Sequence, residues 1–310
     1  MQTKKHLKTP WLTFIVTLIL FADYFIFHAY MNAPTSETTQ EIFSDFGAPY
    51  AIQIYQGQYW GLFLNRFLHT DILLLGINSV LFFLFGYLIE KRIGWLNFSL
   101  LLLFSTLSTS ILQLTLSNDA GVGFAPVNFF LFSYIYAKSV VSKTSLIPFK
   151  HLLAITSFGL LFYLNFLNQN TNQFGLEGMI CGWVGGFIFG LISKNYKIQF
   201  LIAFPSIILL SFSLIYSPWS AEWNYSQGYG FHLNNDFKNA KTSYNKALTI
   251  DPKHKASREN LRIIQIDELK EKALFAHENE DYITARRLYN DLLVLDPENI
   301  WAKENLNKLP

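Results

Sequence analysis

The sequence of 310 residues predicts an all-α protein, a polytopic helical membrane bundle followed by a soluble helical-repeat tail. Three observations predict it. Charge is unevenly spread, with 19 Lys, Arg, Asp and Glu in residues 1–220 and 27 in residues 221–310. That is about 9% against about 30%, on either side of the roughly 25% usual in soluble domains. The charge-poor part carries seven apolar runs of membrane-spanning length. The charge-rich part carries one pattern written twice, 45 residues apart.

Composition excludes other classes. An aromatic content of 17% is too high for a disordered chain. A net charge of +2 leaves no large basic surface for nucleic acid. The single Cys181 cannot build a disulfide scaffold. No nucleotide, phosphate or metal motif stands out, so no cofactor and no metal are expected.

The expected spans are 11–30, 71–89, 96–116, 125–141, 151–167, 178–193 and 200–219. The first follows Lys4, Lys5 and Lys8. It is too long for a signal-peptide core and lacks a small-x-small cleavage site, so it reads as a retained helix. With the N-terminus inside, the inner segments also hold Lys91, Arg92, Lys138, Lys143, Lys150, Lys194 and Lys197, and the outer loops hold only Arg66. The positive-inside rule then puts the N-terminus in the cytoplasm and, after seven spans, the tail outside it. The outer loop 31–70 has a polar first half and an aromatic second half, which suits the lipid–water interface. Usage rich in Lys, Asn, Phe and Ile points to an AT-rich bacterial genome, hence a bacterial plasma membrane.

Polar groups within spans are expensive in hydrocarbon. Asn78, Gln113, Asn128 and Asn165 read as interhelical hydrogen bonders. Asp23 is the one carboxylate well inside a span, towards its outer end, with a role left open. In the sixth span Gly178, Gly182, Gly186 and Gly190 recur every four residues along one helix face, and Gly185 widens it. Such a face lets another helix approach closely, either as ordinary packing or as a groove for a client helix.

The segment 57–94 reads GQYWGLFLNRFLHTDILLLGINSVLFFLFGYLIEKRIG. Trp60, Phe67, Leu68, His69, Asn78, Gly86, Glu90 and Gly94 fall at the spacing by which it resembles the rhomboid family of intramembrane serine proteases. The likeness covers roughly residues 55–193 and implies a six-helix core, here with one helix added. Gly61 stands where the family has Arg. The resemblance also implies a nucleophilic Ser within Gly-x-Ser-Gly at the fourth span, where this chain has Gly123-Phe124-Ala125-Pro126. It implies a His before a Gly-Gly-x-x-x-Gly run in the sixth span, where this chain has Trp183. A second His is expected at Leu74, and only Asn78 is retained among the side-chain donors. Alanine has no hydroxyl, and an indole nitrogen is a donor only and cannot serve as a base. Ala125 and Trp183 are expected to fill the former active site. Cys181, without an evident base, and Ser133 and Ser139, neither beside a Gly in the expected way and Ser139 near the wrong side, are the other nucleophiles near these positions.

The tail repeat pairs Asp236, Ala240, Tyr244, Leu248 and Asp251-Pro252 with Asp281, Ala285, Tyr289, Leu293 and Asp296-Pro297. It resembles the tetratricopeptide repeat, whose 34-residue period is lengthened by eleven residues, about three helical turns. Two units are expected, the second with a longer first helix, followed by a terminal helix. Residues 221–235 supply the opening helix, with Gly228 near the repeat's usual glycine. His232, His254 and His277 read as surface residues.

The domains expected are 1–219, a rhomboid-like transmembrane domain, and 220–310, a repeat-like helical domain. The expected function is a catalytically inactive rhomboid-like protein surrounded by membrane lipid. It binds single-span transmembrane clients or partners, and its tail takes protein or peptide. The alternatives are an active protease with a relocated dyad and a polytopic membrane scaffold.

Overall fold

The computed structural model describes residues 9–34, 36–142, 176–192 and 195–310. The expected fifth span, with His151 and Asn165, lies outside the described residues, as do Lys4, Lys5, Lys8, Lys143, Lys150 and Lys194. Every regular element among the described residues is an α-helix, so the chain has the all-α class expected of it. It divides into two compact units, Met1–Ser217 and Pro218–Pro310.

The first unit opens with α1 (Trp11–Met31). Its N-cap residue is Pro10, which supplies no capping side chain. The first amides of a helix need acceptors, and Glu90 provides them from another helix. The Leu12 and Thr13 N–H groups donate to its two oxygens at 3.0 and 2.8 Å. The loop that follows holds three short helices, α2 (Thr39–Asp45), α3 (Ala51–Tyr55) and α4 (Gly61–Leu64). Asp71 then caps α5 (Ile72–Ile93), accepting from the Leu73 and Leu74 amides at 2.8 and 3.1 Å. Gly94, at φ 81°, turns the chain directly into α6 (Trp95–Ser117). A side chain is disfavoured at that φ, which explains glycine there.

Helix α7 (Ala125–Ser142) lies deepest, with Val127, Phe130 and Leu131 wholly buried. Helix α8 (Leu176–Ile192) packs along it. A Cβ on Gly182 or Gly186 would overlap the carbonyl oxygens of Pro126 or Phe130, and one on Gly190 would run into Ala137. The four-residue glycine stripe is therefore covered by α7, not left as an open groove. Gly178 instead faces the Gln113 side chain and Pro126. Gly185 sits to one side, where a Cβ would make an ordinary 3.5 Å contact with the Phe130 ring.

Helix α9 (Tyr196–Ile215) completes the unit. It begins and ends four residues before the expected 200–219. Asn195 caps its start by accepting from the Lys197 amide at 2.9 Å. Tyr216 is extended, and Pro218 disfavours helix in the residue before it. Gln199, fully buried, ties three helices together. Its Nε2 donates to the Phe189 carbonyl at 2.6 Å, and its Oε1 accepts from the Tyr134 hydroxyl at 3.3 Å. Four described helices, α1, α5, α6 and α9, are long and apolar enough to cross a membrane. α8 is apolar but shorter.

The second unit contains α10 (Ala221–Leu233), α11 (Phe237–Ile250), α12 (Lys255–Glu278), α13 (Tyr282–Leu295) and α14 (Ile300–Asn307). α10 pairs with α11, and α12 with α13. α12 has 24 residues and α10 has 13, a difference of eleven. Asp236 and Asp281 cap α11 and α13 through the Asn239 and Thr284 amides. Ala240, Tyr244, Ala285 and Tyr289 are wholly buried. Asp251-Pro252 and Asp296-Pro297 follow the last residues of α11 and α13.

The three tail histidines are not simple surface residues. His232 Nδ1 meets the Tyr244 hydroxyl at 3.3 Å, and His277 Nδ1 meets the Tyr289 hydroxyl at 3.0 Å. These two contacts are offset by the same 45 residues as the repeat. His254 is buried, with Nε2 3.1 Å from Glu222 Oε1 and Nδ1 accepting from the Ser257 amide. A spacing of 22 and 23 concealed this, because the register runs between His232 and His277.

Candidate functional site

The polar centre of the first unit lies where α5, α7 and the turn before α7 meet. His69, at the entry to α5, is buried there. Its Nδ1 faces the Phe67 carbonyl at 2.8 Å, so Nδ1 carries the proton and Nε2 is the acceptor. Nε2 lies 3.1 Å from Asn78 Nδ2 and 3.4 Å from the Phe124 amide. Both nitrogens are thus engaged. Burial pulls the imidazole down to about 4, against which the Phe67 contact works only weakly. His69 is neutral at pH 7.

Asn78 passes the network on to α7. Asn128 Nδ2 donates to the Asn78 carbonyl at 3.0 Å and to its Oδ1 at 3.1 Å. Asn128 Oδ1 is a buried acceptor with no donor. A cavity of about 10 Å³ adjoins this network, lined by His69, Leu74, Asn78, Gly123 and Ala125 among others. Such a volume holds about one water molecule.

The structure brings Ala125, Leu74 and Asn78 to this one cavity. Ala125 packs with Leu74 and Met179. Trp183 stacks on Phe187 within α8, centroids 5.9 Å apart, and is 45% exposed. The expectation that its ring fills the space beside Ala125 is therefore corrected: Met179, one turn earlier on α8, packs there. Residues 179 and 183 lie about 40° apart around α8 and about 6 Å apart along it, enough to put Met179 against Ala125 and leave Trp183 at the exposed edge. Ser133 Oγ donates to the Phe130 carbonyl at 3.0 Å, and Ser139 Oγ to the Tyr136 carbonyl at 2.7 Å. Cys181 is buried. Among the described residues no histidine nitrogen hydrogen-bonds to a Ser or Cys side chain.

A rhomboid domain model matches residues 56–217. The chain belongs to the rhomboid family. It is an integral membrane protein of that family. No curated protein matches the chain.

Two groups of this rhomboid were missed by sequence reasoning. Arg66 lies in the expected outer loop, yet it is fully buried. Its Nη2 donates to Gln113 Oε1 at 3.0 Å, while Nε and Nη1 have no acceptor. Burial lowers its guanidinium to about 9, opposed by Asp119 and Cys181, so it stays charged at pH 7. Gln113 is held in place because glycines at 121 and 178 leave room for its amide. The rhomboid's Glu90 is the second. It matched a motif position by spacing, but its role as a cap for α1 needed the fold. No local signal distinguishes Arg66 from a solvated charge.

Proposed function

We propose that the chain is a catalytically inactive rhomboid that binds transmembrane clients or partner proteins, with a helical-repeat tail that binds protein or peptide. The observation that carries this is Ala125. It offers only a methyl group at the motif's nucleophile position, enclosed by Leu74 and Met179. His69, Asn78 and Asn128 are hydrogen-bonded to one another beside it, with Asn128 Oδ1 left without a donor. His69 gives both nitrogens to Phe67, Asn78 and Phe124, so it is no free base. In acyl transfer the base must reach the proton it removes, and among the described residues Ala125 carries no such proton and His69 is already engaged.

We assign residues 1–219 to the rhomboid-like transmembrane domain and 220–310 to a tetratricopeptide-like domain. The buried Ala–Tyr pairs of α10–α13 support the second assignment. The excess of Lys and Arg on one set of segments supports a cytoplasmic N-terminus and an extracytoplasmic tail in a bacterial plasma membrane. Arg66, buried within the protein, no longer counts against that orientation.

Labelling with a fluorophosphonate probe tests inactivity. The natural protein is expected to stay unlabelled in membranes, and specific labelling would overturn the reading. Cross-linking in membranes is expected to recover single-span proteins. Protease added to intact cells is expected to remove the tail.

A further inference from the structure

A cleft of about 270 Å³ opens between the segment carrying α2 and α3 and the turn from α6 to α7. Phe43, Pro49 and Val122 give it apolar walls, and Thr39, Tyr50 and Asp119 add polar groups. Small-molecule sites run from about 300 to 1,000 Å³. This cleft is slightly smaller, which suits one long side chain better than a cofactor. Val122 also lines the small cavity beside Ala125, His69 and Asn78. The cleft therefore adjoins the inert centre.

Its exposed charge is a carboxylate. Asp119 is exposed, and its Oδ1 accepts from the Gly121 amide at 2.9 Å. Among the described residues no Lys or Arg nitrogen lies within ion-pair distance of it. The buried Arg66 feels the carboxylate from within the protein, but the one hydrogen bond it makes goes to Gln113. The Tyr50 ring, 48% exposed, stands in the same cleft. A carboxylate, an aromatic face and apolar walls together favour an extended cation: the apolar stem lies along the walls, and the charged head meets the carboxylate and the ring face.

We infer that this cleft takes a Lys or Arg side chain from the extracytoplasmic flank of a client's transmembrane segment. The inference rests on the client-binding reading and gives it a chemical preference.

The test uses the full chain in nanodiscs and two photoreactive dipeptide probes, lysyl-benzoylphenylalanine and glutamyl-benzoylphenylalanine. The lysyl probe is expected to give adducts within residues 39–50 or 119–122, and the glutamyl probe far fewer. Asp119→Asn keeps an acceptor for the Gly121 amide and should reduce lysyl adducts about three- to fivefold, the scale of a part-exposed ion pair. Asp119→Lys should reverse the preference. Equal labelling by both probes, or labelling indifferent to Asp119→Asn, would overturn the inference. So would loss of lysyl labelling when phosphatidylethanolamine replaces phosphatidylcholine at constant phosphatidylglycerol in the disc, which would assign the cleft to a lipid amine. A failure of the client reading shows separately, as the absence of single-span proteins from membrane cross-links while the lysyl preference persists.

Discussion

The Thr13 hydroxyl donates to the Glu90 carboxylate at 2.7 Å, joining residues 77 apart in sequence. With the Leu12 and Thr13 amides, it makes Glu90 the acceptor for the first turn of α1. The carboxylate is fully buried at the end of α5 that precedes Gly94. One side chain thus supplies the cap that Pro10 cannot and fixes α1 against α5. Glu90→Ala should cost on the order of 3 kcal/mol, since it strands two amide donors and a hydroxyl that faced a buried acceptor. Thermal unfolding in detergent measures this, and Glu90→Gln should fall between the two.

The α7–α8 contact gives a matched pair of substitutions. Gly186→Ala puts a Cβ into the Phe130 carbonyl, a backbone atom with little room to yield. The cost is expected at about 1–3 kcal/mol, as for other overpacked positions. Gly185→Ala meets only the edge of a ring at ordinary distance and should lie within about 1 kcal/mol of the natural protein. Parallel thermal melts distinguish them. Equal losses would refute the packing described.

His69 predicts a pH dependence of stability. Its folded value of about 4 lies below the ordinary 6.5 because the ring is buried. The unfolded chain therefore binds the proton more readily. Stability from this group is full above pH 6.5 and falls as the pH drops from 6.5 towards 4, by up to about 3 kcal/mol. Unfolding measured at pH 7, 5.5 and 4.5 should show the loss, and His69→Asn should remove that component of the slope.

A hydroxyl at position 125 is not expected by itself to make the protein react as a serine hydrolase. Ala125→Ser introduces the nucleophile, but His69 keeps its nitrogens on Phe67, Asn78 and Phe124. Fluorophosphonate labelling of Ala125→Ser is expected to remain at background. The double variant Ala125→Ser/Trp183→His should also stay at background, because residue 183 stacks on Phe187 and Met179 is the α8 residue packed against Ala125.

In the tail, the repeat predicts equal effects at equivalent positions. Tyr244 and Tyr289 are both wholly buried and both meet a histidine through the hydroxyl. Tyr→Phe at either should cost about 0.5–1.5 kcal/mol, and Tyr→Ala about 3–5 kcal/mol. Hydrogen exchange of α10–α13 in the full chain reads both.

The sequence by itself determined the elements. Apolar runs located α1, α5, α6, α7 and α8 to within a few residues, because a segment in lipid must satisfy its backbone within its own helix. The 45-residue echo put Ala240 with Tyr244 and Ala285 with Tyr289 on one helix face each, because a helix face is set by local spacing. Family spacing brought Leu74, Asn78 and Ala125 to notice, and they do line one cavity.

What only the tertiary structure decided is how those helices are turned and which charges they enclose. A rotation of α8 sends Met179 to Ala125 and leaves Trp183 half exposed on Phe187. Chain crossings bury Arg66 beside Gln113 and Glu90 beneath α1. The fate of a charge depends on partners distant in sequence, as Arg66 and Gln113 are, 47 residues apart. Periodicity within one helix carries no record of such a partner.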